Sequence, residues 1–213
     1  MHELSDGALL RAFRGGDVQA FDELVSRHEA ALLRHARSLL GEGRSHEDAV
    51  QEVFLRLVQS PPKLPRTADG DARLERAHLV SWLHRVTRNC CMDVLRSETR
   101  RRKREETVAA VDNHDGGIDA VEGEDTRDAV ERGLSRLPAD QREVLVLRLL
   151  GERSYKEIAE ITGKKIGTVG WLVSVGLKAL AVELAHLVQP AGDVALSPRP
   201  IPSTAGHLQG EPS

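Results

Sequence analysis

Aromatic side chains are nearly missing from this chain. Two Trp, one Tyr and three Phe make up 3% of 213 residues. Any core must then be assembled from Leu, Val and Ala, a composition that favours helices. Cysteine is confined to the adjacent pair Cys90 and Cys91. Neighbours on a helix point in different directions, so no disulfide framework is available, and no Cys/His cluster has the spacing of zinc ligands. No stretch approaches the ~20 apolar residues of a membrane span, and the opening MHELSDGALLRAF holds no apolar run long enough for a signal peptide. A cytoplasmic protein without membrane insertion is expected. Also missing are a glycine-rich phosphate loop, a metal-ligand cluster and a nucleophile–base pairing, so neither an enzyme nor a cofactor is expected. The net charge is only −3, which leaves the distribution of charge more informative than its sum.

What is there concentrates in residues 154–180, SYKEIAEITGKKIGTVGWLVSVGLKAL. Ser154 with Glu157 three residues later spells a capping box. Ile158, Ala159 and Ile161 give the short helix that follows an apolar face. Thr162 and Gly163 break the period, and Gly163 can take the positive φ of a sharp turn. A second helix is predicted from about Gly167, with Val169, Val173, Gly176 and Leu180 at helical spacing. Short helix, glycine turn and longer helix form the helix-turn-helix pattern, whose second helix enters the DNA major groove. An ordinary αα-hairpin has the same outline.

Upstream, four helices are predicted. Ser5 caps the first, with Leu9, Leu10 and Phe13 inward, and Gly15 and Gly16 end it. Asp17 caps the second, where Phe21, Leu24, Val25, His28, Leu32, Ala36 and Leu39 recur at spacings of three and four and Gly41 closes. His28 on that apolar side reads as a hydrogen-bonded core histidine. Ser45 opens the third, with Glu47 and Asp48 in the first turn, where the helix dipole favours acids. Its apolar stripe is Val50, Val53, Phe54, Leu57 and Val58, and Pro61 and Pro62 stop it. Residues 60–77 read as a polar, proline-containing loop, or as such a loop with a helical end. The fourth helix is predicted from about His78 to beyond Arg100, with Leu79, Leu83, Val86, Cys90, Val94 and Leu95 inward and Trp82, Arg85, Arg88, Asn89 and Arg96 outward.

Charge then changes sign along the chain. Residues 79–106 carry eight Arg and Lys against four acids, a net of +4. A basic helix beside an outward Trp suits nucleic acid, with cations for phosphates and a flat ring for a base; a solvated helix end has the same composition. Residues 107–131 hold eight acids against Arg127 alone, a net of −7, and their first part, with Gly116 and Gly117, reads as a flexible linker. After it, Val130, Leu134 and Leu137 mark one helix and residues 140–150 another, stopped by Gly151. From Val188 on, Pro, Gly and Ser without a period read as a disordered tail. The fold class is all-α: two small helical domains, residues 1–104 and 126–187, joined by an acidic flexible linker at 105–125 and followed by the tail at 188–213.

These blocks resemble a family. DAVQEVFLRL, SWLHRVTRNCCMDVLR with its Arg-rich end, LPADQREVLVLRLL and the 154–180 stretch, in this order, are similar to bacterial sigma factors of the extracytoplasmic-function (ECF) type in the sigma-70 superfamily. The resemblance covers residues 5–104 and 126–187. It implies a region 2-like domain that binds core RNA polymerase and melts the −10 promoter element, and a region 4-like domain that reads the −35 element. By position, Asp48, Gln51, Glu52 and Arg56 would meet the β′ clamp helices, with Phe54 in the core. Trp82, Arg85, Arg88, Asn89, Arg96 and Arg100 would capture the −10 strand. Ser154, Tyr155, Lys164, Lys165, Thr168, Trp171, Ser174 and Lys178 would lie at the −35 duplex. Implied partners are core polymerase, including its β flap, promoter DNA and an anti-sigma protein. The acidic linker would thread toward the basic RNA exit channel, or act as a solvated spacer.

One departure stands out. The family's recognition helix carries several cations on its groove face, whereas here Gly-Trp-Leu-Val-Ser-Val-Gly-Leu precedes the first base, Lys178. No Arg is placed for bidentate contacts to guanine. Lys164, Lys165, Thr168, Ser174 and Lys178 remain for phosphates, and Trp171 and Val175 for thymine methyls. Alternatively Trp171, Leu172, Val175 and Leu177 form a protein-binding patch. Two further classes of function share parts of this pattern: a stand-alone helix-turn-helix regulator, and an interaction adaptor with weakened DNA reading.

Overall fold

The computed structural model describes residues 4–41, 45–65, 68, 70–106 and 126–185. All regular elements among them are helical: α1 (Asp6–Arg14), α2 (Val18–Leu40), α3 (His46–Gln59), α4 (Ala72–Glu106), α5 (Thr126–Ser135), α6 (Ala139–Leu145) running into a π-helical turn (Val146–Leu150), α7 (Tyr155–Thr162) and α8 (Ile166–Glu183). α4 runs two residues into the stretch read as the acidic linker; residues 107–125 of that linker and the tail fall outside the described residues.

The helix starts are where the side-chain caps put them. The Ser5 hydroxyl accepts from the Ala8 amide at 3.2 Å, the Asp17 carboxylate from Gln19 at 3.0 Å, and the Ser45 hydroxyl from Asp48 at 3.4 Å. Such caps satisfy amides that have no partner inside the helix. One start was placed too late. Asp71 accepts from the amides of Arg73 and Leu74 at 3.0 and 3.1 Å, so α4 begins at Ala72 rather than His78.

Helices α1–α4 enclose one core, in which Leu10, Leu24, Leu32, Leu57, Leu79 and Leu83 are fully buried. Phe13, Phe21 and Phe54 stack through it, with ring centroids 5.1 and 6.3 Å apart. His28 is buried as expected, its Nε2 3.0 Å from Asp6 Oδ2. Helices α5–α8 enclose a second core around Leu145, Leu147, Ile158, Val169 and Val173. Each buried Leu or Ile is worth about 1.5–3 kcal/mol, which is how a chain so poor in aromatics sustains two small cores. Gly176 is needed where α8 crosses α6, because a Cβ there would sit 3.0 Å from Leu145 Cδ1.

Three expectations about faces are corrected. Val58 is not part of the inner stripe of α3 but 48% exposed, like Leu55 at 53%. Residues 140–150 are not one α-helix: the Gly151 amide bonds to Val146 O at 3.0 Å, and the wider π turn points Val146 and Leu147 inward and Leu149 and Leu150 outward. α8, whose 18 residues average a hydropathy of 1.4, is long and apolar enough to cross a membrane. Its inner stripe is spent on the packing of α6 and α7.

Candidate nucleic-acid interface

Three exposed surfaces, on α3, α4 and α8, and one seam carry the candidate residues. On α4, Arg85, Asn89, Arg96 and Arg100 follow one another at spacings of four, seven and four, so they share one exposed face. Arg96 leans on Asp93 at 3.2 Å, and a shallow groove lies between Met92, Leu95, Arg96, Thr99 and Arg100. Trp82 departs from the outward reading. It is half-buried and packs on the α1–α4 core, so only part of its ring is available to a base. The two thiols behind this face are buried, and burial pushes Cys91 up to about 12. They are protonated core groups, not nucleophiles.

Arg88 is also not free on the outer face. Its Nε donates to Glu143 Oε1 of α6 at 2.9 Å, and Glu143 is 1% exposed. The same oxygen lies 3.5 Å from His35 Nε2 on α2, and His35 Nδ1 lies 3.1 Å from His84 Nδ1 on α4. Alongside, Arg142 of α6 donates to the Ser38 carbonyl at 2.6 Å and to the Ser135 carbonyl at 2.7 Å. It thereby fastens the carbonyl-rich C-terminal ends of α2 and α5, where a cation is favoured. These contacts join the two helical units, with α7 packed on α4 and α6 on α2. A cavity of about 370 Å³ opens along the seam, lined by Arg34, Arg37, Arg132, Arg142 and Glu131 among others.

The helix-turn-helix is built as its sequence spells it. The Ser154 amide and hydroxyl both donate to Glu157 Oε2, at 2.8 and 2.6 Å, and the Glu157 amide donates back to the Ser154 hydroxyl at 3.3 Å. Burial opposes the charge on Glu157, but these bonds and Arg153 hold its carboxyl below the ordinary value. Gly163 takes φ 72° at the turn. α8 then exposes Thr168, Trp171, Ser174 and Lys178 together with Ile166, Leu177 and Val182, with Trp171 at 60% and Val182 at 75%. Leu172 is not on that patch: it is buried in the second core, and Val175 is only half-exposed. Lys165 and Tyr155 are exposed, Tyr155 beneath the Arg148 guanidinium at 5.4 Å. Lys164 is drawn to Asp140 at 2.9 Å.

On α3, Asp48 and Gln51 are exposed, and Glu52 and Arg56 pair at 2.8 Å. Leu55 and Val58 stand beside them, an apolar element that the polar pattern did not announce. The surface combines apolar contact with charge, as protein interfaces do. Among the described residues, no group of three or more His, Cys, Asp or Glu has a geometry for a metal ion. All of this is binding geometry: cations, a partly available ring and apolar patches on rigid helices.

The family model for sigma-70 region 2 matches residues 24–101, and that for sigma-70 region 4 matches residues 127–180. The ECF RNA polymerase sigma factor SigM of Mycobacterium tuberculosis is 33% identical over 168 residues, 79% of this chain and 79% of that protein. The ECF RNA polymerase sigma-E factor of Haemophilus influenzae is 32% identical over 180 residues, 78% of this chain and 88% of that protein. Among solved structures, the sigma factor RpoE in complex with the anti-sigma factor NepR from Bartonella quintana superposes with a TM-score of 0.56 at 26% identity, covering 78% of this chain and 96% of that one. CnrH in complex with the cytosolic domain of CnrY has a TM-score of 0.54 at 23% identity, covering 85% and 97%, a likeness of fold.

Proposed function

From the premise that this chain belongs to the ECF RNA polymerase sigma factors, we propose a division of labour for its directing of promoter-specific transcription initiation. Residues 1–104 form the unit that meets core polymerase and the −10 element, and residues 126–187 form the unit that meets the −35 element. Members of this family are non-enzymatic regulators that act in the bacterial cytoplasm, and we place this chain there. The observation that carries the reading is the single exposed stripe of Arg85, Asn89, Arg96 and Arg100 along α4, beside the half-buried Trp82. Guanidinium groups hold the phosphates of a strand whose bases have left the stack, and the exposed part of the Trp82 ring and the groove receive a base. The chemistry of phosphodiester formation belongs to the polymerase.

The α3 face is assigned to the clamp helices of core polymerase. Its Asp48, Gln51, Glu52 and Arg56 are joined by the exposed Leu55 and Val58. Replacing Leu55 and Glu52 together by alanine is expected to weaken binding to core polymerase about tenfold or more, measured by fluorescence anisotropy of the labelled chain. Both side chains lie outside the core, so thermal unfolding stays near that of the unaltered chain. Unchanged affinity would remove α3 from the interface.

α8 is assigned a weakened −35 role. Its outer face offers Thr168, Ser174 and Lys178 for phosphates but has no guanidinium for guanine, and its apolar members suit thymine methyls or a protein. The similar sigma factor RpoE of Bartonella quintana is solved in complex with the anti-sigma factor NepR. We extend this to the present chain: an anti-sigma protein covers the outer side of α8, where Ile166, Trp171, Leu177 and Val182 are exposed.

A further inference from the structure

The seam between the two units holds an arrangement that depends on protonation. His35 and His84 are both buried and face each other through Nδ1 at 3.1 Å. One nitrogen must donate and the other accept. With His84 donating, His35 keeps its proton on Nε2, which then points toward Glu143 Oε1 at 3.5 Å. That Nε2 has no hydrogen-bond partner of good geometry although it is fully buried. The pair as a whole can hold at most one extra proton. A second would set two N–H groups against each other across 3.1 Å.

The surroundings leave little room for added positive charge. α2 contributes Arg34 and His28, the latter already bonded to Asp6 of α1. α4 contributes Arg88 and the neutral thiol Cys91, and α6 contributes Arg142. Arg153, just before α7, adds its own charge, and its carboxylate partner is Glu157. Against these cations the carboxylate beside the histidine pair is Glu143, already given to Arg88.

We propose that His35, His84 and Glu143 form a pH-sensitive latch: neutral imidazoles hold the two units closed over Arg88, and acidification opens them and releases Arg88 to the outer face of α4. Burial, His35 and the neighbouring guanidinium groups keep His84 well below its ordinary value in the closed form, in line with this sign. In the open form the His84 imidazole loses that burial and returns toward the ordinary value of 6.5. The closed form therefore binds fewer protons, so closure is complete above about pH 6.5 and is lost as pH falls below it, by up to about tenfold per pH unit for each proton taken up. The consequence for promoter binding rests on the assignment of α4 to DNA. The opening itself involves neither DNA nor polymerase.

The test is small-angle X-ray scattering of the full chain from pH 8 to pH 5.5, with circular dichroism on the same samples. The chain is expected to expand below about pH 6.5 with its helix content unchanged. His84→Asn, which keeps a donor toward His35 and cannot take up a proton, is expected to stay compact at pH 5.5. No expansion of the unaltered chain, expansion that coincides with loss of helix, or a His84→Asn midpoint equal to the unaltered one would each overturn the latch. If His84→Asn does not fold, Glu143→Gln decides: the latch moves its opening to higher pH, and an unmoved midpoint overturns it. Because the readout is the shape of the chain alone, failure here leaves the sigma-factor assignment standing, and failure of that assignment leaves the opening measurable.

Discussion

Replacing Arg88 by alanine should loosen the packing between the two helical units by about 3–5 kcal/mol, the usual cost of stranding one member of a buried ion pair. Glu143 is 1% exposed, and without Arg88 the side chain left beside its carboxylate is the His35 imidazole, 3.5 Å away. The carboxylate must then ionise in a desolvated seam, take up a proton, or pull α6 off α2 and α4. In denaturant titrations at pH 8 the α5–α8 unit is expected to unfold first, as a separate transition. Arg88→Lys should recover only part of the loss, since an ammonium lacks the planar fork. Combining Arg88→Ala with Glu143→Leu should recover most of it, because no unpaired charge is left behind. An Arg88→Ala curve that overlays the unaltered one would show that the seam does not depend on this pair.

The second large effect is expected on α4. Arg85, Arg96 and Arg100 are exposed and outside the core, so replacing all three by alanine should change stability little. If each holds one phosphate of a single strand, the slope of log affinity against log salt falls by about 0.7 per contact, or about 2 in all. At 0.15 M salt this corresponds to on the order of fifty-fold weaker binding of the polymerase-bound chain to a forked promoter DNA. A filter-binding series across salt concentrations reads both quantities. An unchanged slope would mean that the basic stripe is a solvated face and that the promoter strand lies elsewhere.

How far the sequence spoke for itself depended on the range of the interaction. Caps are decided within four residues, so Ser5, Asp17, Ser45 and the Ser154–Glu157 pair were legible, and so was the left-handed Gly163. The inner stripes of α2 and α4 were legible because each alternates with charge. α8 was harder. Its run from Gly170 to Leu177 is apolar all round, so there was no contrast to show that Leu172 faces the core while Trp171 faces out. Trp82 and Val58 sit on the flanks of their stripes, where helical spacing alone leaves the direction to the packing of a neighbouring helix. The seam was invisible in principle: Arg88 and Glu143 are 55 residues apart, and His35 read as one scattered histidine among nine. Burial of a lone Glu in the run DQREVLVLRLL was the one available hint, since an acid within an apolar stretch needs a partner.

The most direct test of the whole account is run-off transcription with purified bacterial core polymerase on a genomic promoter library, with the RNA 5′ ends mapped. The account predicts discrete starts that appear only when this chain is added and that fade when Arg85, Arg96 and Arg100 are replaced together. The aligned upstream sequences should show a defined −10 element and a weak, thymine-rich −35 element, matching an α8 that offers apolar contacts in place of guanidinium groups. Absence of starts together with absence of binding to core polymerase would contradict the account.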